Sequence, residues 1–261
     1  MSVKKFSIIS PSYNQVSFLK ETVESVSSQM VDLETEHIII DGGSTDGSVD
    51  FLKSKGKEVT WISEKDKGQA DAVNKGIRLA TGDIIGWLNS DDLYLPGALQ
   101  AVADHFRDHP GCRWAYGRCV IIDTTGRERW KWITRYKNAR LKRYTYEKLL
   151  RENFISQPAV FFRKDIFGEA GFLDLDLNYA MDYDLWLRFG KIAPAGVIHK
   201  DLAGFRRHGA SKSETGYREQ FFEQYAVARK YGPSFFNRAA HRFNIFKIIT
   251  SYRLIGLFFR F

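Results

Sequence analysis

Carboxylates stand at three places in this chain where the local geometry suits them to chemistry. Asp41 ends the apolar run Ile38-Ile39-Ile40 and opens the turn Gly42-Gly43-Ser44-Thr45-Asp46-Gly47. An acid at the carboxyl end of a buried strand, before a flexible turn into a helix, lies where open α/β sheets meet their ligands. The plainer alternative is a helix cap, because Ser44, Thr45 and Asp46 all qualify as caps and could explain the turn alone; with those candidates present, capping does not require Asp41. The second place is Asn89-Ser90-Asp91-Asp92, after the strand-like run 83–88. Adjacent carboxylates repel each other unless a cation or hydrogen-bond donors offset the repulsion. A hard divalent ion fits such a pair, because it takes one or two protein carboxylates and completes its shell with water and phosphate oxygens. A solvated turn is the alternative. Third, Met181-Asp182-Tyr183-Asp184-Leu185-Trp186-Leu187 places acids at i and i+2 ahead of an apolar helix. They cannot share a helix face, so one can cap the helix while the other projects into a site, with capping alone as the alternative.

The elements that must hold these groups can be read from periodicity. Apolar runs at 6–10, 37–41, 59–63 and 83–88 predict strands, and patterns at 17–29, 47–55, 68–80 and 95–106 predict helices. Strands alternating with helices imply right-handed crossovers and an α/β fold with a mostly parallel sheet covered on both faces. Beyond residue 113 the pattern changes. Two short β runs are expected in 114–123, a basic and aromatic surface loop in 126–151, strands at 159–162 and 195–199, and helices at 183–189 and 216–231.

Charge narrows the function classes. The 261 residues carry a formal net charge of +8. The excess sits in 126–151, with ten basic and two acidic side chains, and in the tail 218–261, with eight and two, while residues 1–125 are net acidic. That distribution argues against one broad basic face for nucleic acid and favours an acidic, cation-requiring site beside surfaces for something anionic. Cys112 and Cys119 are too few for a disulfide framework and read as small structural hydrophobes. Lys4 and Lys5 are followed by no signal-type apolar stretch, and no run approaches the ~18 apolar residues of a membrane span, so a cytoplasmic chain is expected. Absent phosphate-cradling glycine motifs disfavour a P-loop NTPase or NAD-dependent dehydrogenase, and absent HExxH and GxSxG motifs disfavour the commonest zincins and hydrolases.

Five stretches in order resemble glycosyltransferase family 2, the inverting GT-A enzymes that use nucleotide-diphospho-sugars. They are Ser10-Pro11-Ser12-Tyr13-Asn14-Gln15, Ile40 through Ser48, Asp66-Lys67-Gly68-Gln69 through Gly76, Gly82 through Asp92, and Met181 through Leu185. The resemblance runs from about residue 5 to residue 213. It implies a GT-A, Rossmann-like sheet flanked by helices over 1–215, with a nucleotide-sugar half to about 125 and an acceptor half after it. Residues 216–261 then form a helical, basic and aromatic tail. By this likeness Pro11, Tyr13 and Asp41 hold the nucleoside base, Asp66, Gln69 and Asn74 belong to the donor site, and Asp91 meets the ribose or sugar. Asp92 coordinates Mn2+ or Mg2+, His208 is a further metal ligand or phosphate donor, Arg207 adds charge, and Asp182 is the general base. The family's pattern has Glu immediately before that base, where this chain has Met181, which puts any auxiliary role of that Glu in doubt.

The implied activity is metal-dependent transfer of a sugar, from a UDP-sugar in the first instance, to a hydroxyl of a glycan or lipid-linked acceptor in surface polysaccharide synthesis, with no nucleic-acid partner. A catalytically silent nucleotide- or glycan-binding protein of the same fold is the first alternative, disfavoured by the retained acids. A sugar nucleotidyltransferase is the second, disfavoured because Pro11 through Gln15 is not a glycine-rich basic phosphate loop. If 234–261 is helical, Phe236, Ala239, Phe243, Phe246, Leu254, Leu257 and Phe261 share one side. Arg238, Arg242, Arg253 and Arg260 share a neighbouring one, as on a peripheral membrane helix. Packing on its own domain, or on a second copy in a homo-oligomer, is the alternative.

Overall fold

Ile38 and Ile40 point to one side of the central sheet and Ile39 to the other, each into a separate apolar cluster. That alternation within one uninterrupted apolar run is the mark of a strand buried on both faces. The computed structural model describes residues 3–258 except 142, 210, 212–215 and 233, with side chains at all of these but 217, 248 and 251–258. Its N-terminal part follows the sequence pattern closely. Strands β1 (Lys5–Ser12), β2 (Glu34–Asp41), β3 (Thr60–Ser63) and β4 (Ile84–Trp87) alternate with helices α1 (Val16–Ser27), α2 (Ser48–Ser54) and α3 (Gln69–Leu79). After β4 come the short β5 (Leu93–Tyr94) and α4 (Ala98–Asp108). In α1 the buried residues Leu19, Thr22, Val23 and Val26 fall at the i, i+3, i+4, i+7 spacing that turns one stripe toward a sheet.

The C-terminal part departs from expectation in three ways. The two β runs of 114–123 are one strand, β6 (Trp114–Ile122), irregular opposite its parallel neighbour between Gly117 and Cys119. The expected loop at 126–151 contains helices α5 (Lys131–Leu141) and α6 (Tyr146–Arg151). In α5 only Thr134 and Leu141 are buried, so no apolar stripe betrayed it. After β7 (Val160–Arg163), the short α7 (Phe167–Ala170) and α8 (Met181–Ile192), the strand expected at 195–199 continues as β8 (Gly196–Arg206). The exposed His199 and Lys200 had broken its pattern. Two further helices follow, α9 (Tyr217–Tyr231) and α10 (Phe235–Phe258).

The strands form one sheet in the order β3-β2-β1-β4-β7-β6-β8-β5. Pairs β1–β2, β2–β3, β1–β4 and β6–β8 are parallel, whereas β7 runs antiparallel to β4 and β6, and β5 to β8. The first four strands match the parallel expectation; the whole sheet is mixed, because β7 reverses direction at its centre. One face carries α3, α6 and α8 over Trp87, Trp114 and Phe162, with Trp186 of α8 packed on the last two. The other carries α4 over Phe6, Ile84 and Phe161. Pro11 lies in β1 beyond Ile9, the last residue paired with β4, so its missing N–H costs no ladder bond on that side. The carboxyl ends of β1, β2 and β4 therefore open at one edge of the sheet, with three of the predicted acids on them.

Candidate active site

Asp41 is fully buried, and its carboxylate is used by its own turn. Oδ2 accepts from the Gly43 and Ser44 amides at 3.1 and 2.9 Å and from Ser63 Oγ at 2.6 Å, and Oδ1 accepts from Ser44 Oγ at 2.5 Å. Asn14, with φ of 50°, ties the end of β1 to this turn: its amide donates to Ser44 Oγ and its Oδ1 accepts from the Thr45 amide, both at 2.8 Å. Asn is among the few residues that enter the left-handed region readily. Tyr13, 62% exposed, is thereby held beside Gly42. A β-carbon at Gly42 would lie 2.8 Å from Asp66 Oδ2 and 3.4 Å from the Tyr13 ring, so the missing side chain leaves the floor of a slot between them. Asp66 is half-buried and its Oδ1 accepts from the Gly68 amide at 2.8 Å. Asp41, expected to hold the base, makes its bonds within its own turn and to Ser63, and Asp66 is the partly exposed acid beside Tyr13. Pro11 is buried beneath them.

Asn74 is buried, and its side-chain amide makes a reciprocal pair with the Leu173 backbone, at 2.9 Å in both directions, which clips α3 to the 173 loop. Gln69 donates to Asn89 Oδ1 at 2.7 Å, as does the Trp87 indole at 2.9 Å, and Asn89 Nδ2 donates to Gln157 Oε1 at 2.9 Å. Gln69 thus orients the acidic turn from the side.

Within that turn the two aspartates have different environments. Asp92 is fully buried; its Oδ1 accepts from the Arg206 amide at 2.9 Å and its Oδ2 from Asn89 Nδ2 at 3.3 Å. Burial, with the Asp91 charge beside it, holds the Asp92 carboxyl well above the usual range. Asp91 stays partly accessible, and its Oδ2 lies 3.0 Å from His208 Nε2. His208 therefore joins Asp91 and not Asp92, the reverse of the pairing expected for a metal. Its ring packs on Phe18, 4.8 Å between centroids. The device holding the turn is Arg206, fully buried, which stacks on the same Phe18 ring. Its guanidinium donates to the Asp91 carbonyl at 2.8 Å, to the Asp123 and Thr124 carbonyls, and to Glu21 at 2.6 Å. Sequence reasoning passed over Arg206, whose only signal was a basic residue closing an apolar strand. Past His208, residues Ala210, Lys212 and Ser213 lie outside the described residues.

Asp182 begins α8 without capping it. The N-cap position of the helix is Ala180, and Glu223 of α9 closes the turn ahead of it, its carboxylate accepting from the Asn178, Tyr179 and Ala180 amides at 2.9, 2.5 and 2.6 Å. Asp182 accepts one bond from the Tyr183 amide, 2.7 Å, and burial pushes its carboxyl up to about 6. Asp184 is spent on structure, paired with Arg188 at 2.8 Å and accepting from Tyr231 of α9 at 2.8 Å. Asp182 opens into a cavity of about 510 Å3 whose walls come from α5, the 152–158 segment, the end of β8, α9 and α10. Gln157 and Arg207 line it, and Gln157 also bonds Asn89, so the cavity adjoins the acidic turn. Arg207 stacks over Trp130, 4.9 Å away. Among the described residues no cluster of three or more His, Cys, Asp or Glu side chains is arranged to hold a metal.

Comparison with known proteins bears on the same residues. The family model described as glycosyl transferase family 2 matches residues 7–171. A PGL/p-HBAD biosynthesis glycosyltransferase from Mycobacterium bovis is 30% identical over 241 residues, spanning 89% of this chain and 88% of its own length. Chondroitin synthase of Escherichia coli is 31% identical over 210 residues, 79% of this chain but 29% of that one. Among solved structures, S. aureus TarS 1-349 in complex with UDP-GlcNAc superposes with a TM-score of 0.66 at 16% identity, covering 85% of this chain and 65% of that one. Mannosyltransferase PcManGT from Pyrobaculum calidifontis, in complex with GDP-Man and Mn2+, gives 0.63 at 20% identity, covering 87% and 64%. The chain thus spans less than two thirds of either solved chain, and those likenesses speak for the fold. The sequence matches, running through the strand-end acids described above, show that this chain belongs to glycosyl transferase family 2 and is a glycosyltransferase.

Proposed function

We propose that this glycosyltransferase moves a sugar from a nucleoside-diphosphate donor at the ends of β1, β2 and β4 to a hydroxyl in the Asp182 cavity, inverting the anomeric carbon. The observation that carries this reading is Asp182: a carboxyl raised to about 6, uncommitted to helix capping, and open to a cavity that adjoins the acidic turn. An acceptor hydroxyl is a poor nucleophile, and a positioned base near its operating pKa takes the proton as the new bond forms. Attack from the cavity side, opposite the leaving group, inverts the centre. In the donor slot the base lies against Tyr13 and over Gly42, with Asp66 accepting from its N–H edge and Asp41 keeping the turn in shape. Arg207 adds positive charge where the diphosphate leaves.

The pair Asp91 and His208 fits a divalent cation. Two ligands at right angles in an octahedral shell of 2.0–2.1 Å bonds stand about 3 Å apart, the separation found between Asp91 Oδ2 and His208 Nε2. A bound Mn2+ or Mg2+ would supply Lewis-acid stabilisation of the charge on the departing diphosphate. PcManGT, a neighbour in fold, holds GDP-Man with Mn2+, and TarS holds UDP-GlcNAc. Both support a nucleotide-sugar donor here, with UDP-sugars to be tried first, and relatives named for PGL/p-HBAD biosynthesis and as chondroitin synthase support a glycan or lipid-linked acceptor. Incubation with a panel of nucleotide-sugars and Mn2+ tests the reading: release or transfer of sugar is expected. Binding without turnover would favour the silent alternative, and synthesis from sugar phosphate the nucleotidyltransferase.

The tail is proposed to rest on a membrane surface. Helix α10 bonds its own domain through a polar stripe at i, i+4, i+7: Asn237 accepts from Arg151 Nε at 2.9 Å, His241 Nδ1 meets the Leu150 carbonyl at 3.0 Å, and Asn244 donates to the Arg151 carbonyl at 3.0 Å. That leaves Phe236, Ala239, Phe243 and Phe246 exposed, with Arg238 and Arg242 exposed beside them. An apolar face turned outward and rimmed by arginines suits an anionic interface. Both expected alternatives, packing and membrane contact, thus find support on opposite faces of one helix. The side chains of Arg253, Leu254 and Leu257, together with residues Arg260 and Phe261, lie outside those described. Among the described residues no helix is long and apolar enough to cross a membrane. Replacing Phe236, Phe243 and Phe246 together by Ser is expected to abolish salt-sensitive pelleting with anionic vesicles; unchanged pelleting would remove the claim.

A further inference from the structure

The cavity at Asp182 holds more positive than negative charge. Lys137, Arg140, Arg151, Arg207 and Lys247 line it, against the carboxylates of Asp182 and Glu152. Glu152 is already committed, its Oε2 accepting from Arg140 Nε at 3.1 Å and from the terminal nitrogen of the same guanidinium. Arg151 is held by Asn237 and by the Phe236 ring, 4.7 Å from its guanidinium carbon. Lys137, on α5, points its amine to Ser156 Oγ at 3.3 Å, a long and neutral contact for an ammonium group. Burial pushes the Lys137 amine down from the usual lysine range, while Asp182 and Glu152 act in the opposite direction. A buried ammonium is costly unless an anion compensates it. Asp182 compensates it only while ionised, and a base must give up that charge when it takes the acceptor's proton.

We propose that the acceptor carries an anionic oxygen group, a carboxylate or a phosphate ester, near the hydroxyl it presents to Asp182, and that Lys137 selects it. The claim rests on the cavity being the acceptor site, and it narrows the acceptor from any glycan to an acidic or phosphorylated one. Lys137 lies in the segment 126–151, whose ten basic residues the donor chemistry does not use. The anion keeps Lys137 paired after Asp182 is protonated. It also sets the register of the sugar in a cavity otherwise lined by Trp132, Tyr136 and Phe154.

Calorimetric titration of the full chain with methyl β-glucuronide, glucose 1-phosphate and neutral methyl β-glucoside, each with and without UDP and Mn2+, tests this. One of the anionic sugars is expected to bind about tenfold or more tightly than the neutral one, with the difference shrinking in high salt. Which anion wins separates a carboxylate acceptor from a phosphate one. Lys137→Met is expected to erase the preference and Lys137→Arg to restore part of it, with UDP affinity unchanged in both. Equal affinity for the three sugars, binding of neither anion, or a preference that survives in Lys137→Met would overturn the proposal. So would loss of UDP affinity in Lys137→Met, which would assign the amine to the donor diphosphate. The sugar comparison in wild-type protein does not depend on any variant folding. Failure of the donor reading shows separately, as absent nucleoside diphosphate binding whatever the sugars do.

Discussion

The two halves of the site are built on different principles. Where the donor is proposed to bind, the slot at Tyr13 is satisfied by near neighbours in the chain, although the acidic turn beside it is held from afar by Arg206, His208 and Gln157. Asp41 is bonded within its own turn and by Ser63 on the adjacent strand, and Asn89 by Trp87, two residues away. On the acceptor side the decisive bonds are long-range: Glu223 to the amides before α8, Tyr231 to Asp184, and α10 to the backbone of Leu150 and Arg151. A parallel sheet edge presents strand ends and turns in a fixed array, so local chemistry suffices to shape the slot at Asp41. A cavity walled by helices has no such array, and its walls must be tied together across the chain. The slot at Asp41 is thus fixed by its own turn, while the shape of the Asp182 cavity depends on the helices that enclose it.

The sharpest break between the halves is at Asp182. In Asp182→Asn, transfer is expected to fall about 10³-fold, the usual range for a positioned base, while metal-dependent UDP affinity stays put. Steady-state transfer and calorimetry on the same sample read both; ordinary turnover in the folded variant would reject the role. Asp184, two residues on, belongs to the scaffold. Removing one partner of a buried, hydrogen-bonded pair costs about 3 kcal/mol, so Asp184→Ala should lower the unfolding free energy by that order. Thermal or urea unfolding checks it, and an unchanged midpoint would show that α8 and α9 do not need this tie.

On the donor side the contrast lies within the acidic turn. Calorimetry with UDP and Mn2+ should show Asp91→Asn and His208→Ala each losing metal-dependent affinity by about tenfold or more, with Asp92→Asn less affected. The reverse ranking would restore the assignment of the metal to Asp92. The smallest effect is on pH dependence. Asp182 accepts a proton only as the carboxylate, and its pKa is raised, so the competent fraction is lost as pH falls through about 6. Below that point kcat/KM should drop about tenfold per pH unit and above it level off. A profile flat from pH 5 to 7 would remove Asp182 from the rate.

Legibility in the sequence followed the same division. The strands ending in Asp41 and Trp87, and the helices between them, could be read because each buries an apolar run or stripe. Helix α5 could not, since its burial is confined to Thr134 and Leu141 and its other contacts are polar or aromatic. Motif resemblance pointed to stretches but could not divide labour within them. Asp91 and Asp92 are chemically identical in sequence, and only the Arg206 amide on one and the His208 imidazole near the other tell them apart. Asn74 reads as a donor ligand because it lies in a matching motif, and its amide bonds the backbone of Leu173, 99 residues away.

What the sequence determined by itself was the α/β class, the family, the strand ends that carry acids, and Asp182 as the acid to test. These depend on interactions repeating every two to four residues, or on motifs whose order survives in a linear string. The tertiary structure alone decided which acids are spent and which stay available. It spends Asp41, Asn74 and Asp184 on bonds, keeps Asp91, Asp66 and Asp182 accessible, and gathers an excess of cations around Asp182. The physical reason is that a carboxylate's role depends on burial and on the donors facing it. At Asp184 part of those surroundings is Tyr231, 47 positions further along the chain, and beside Asp182 stand Lys137, 45 positions earlier, and Glu223, 41 positions later.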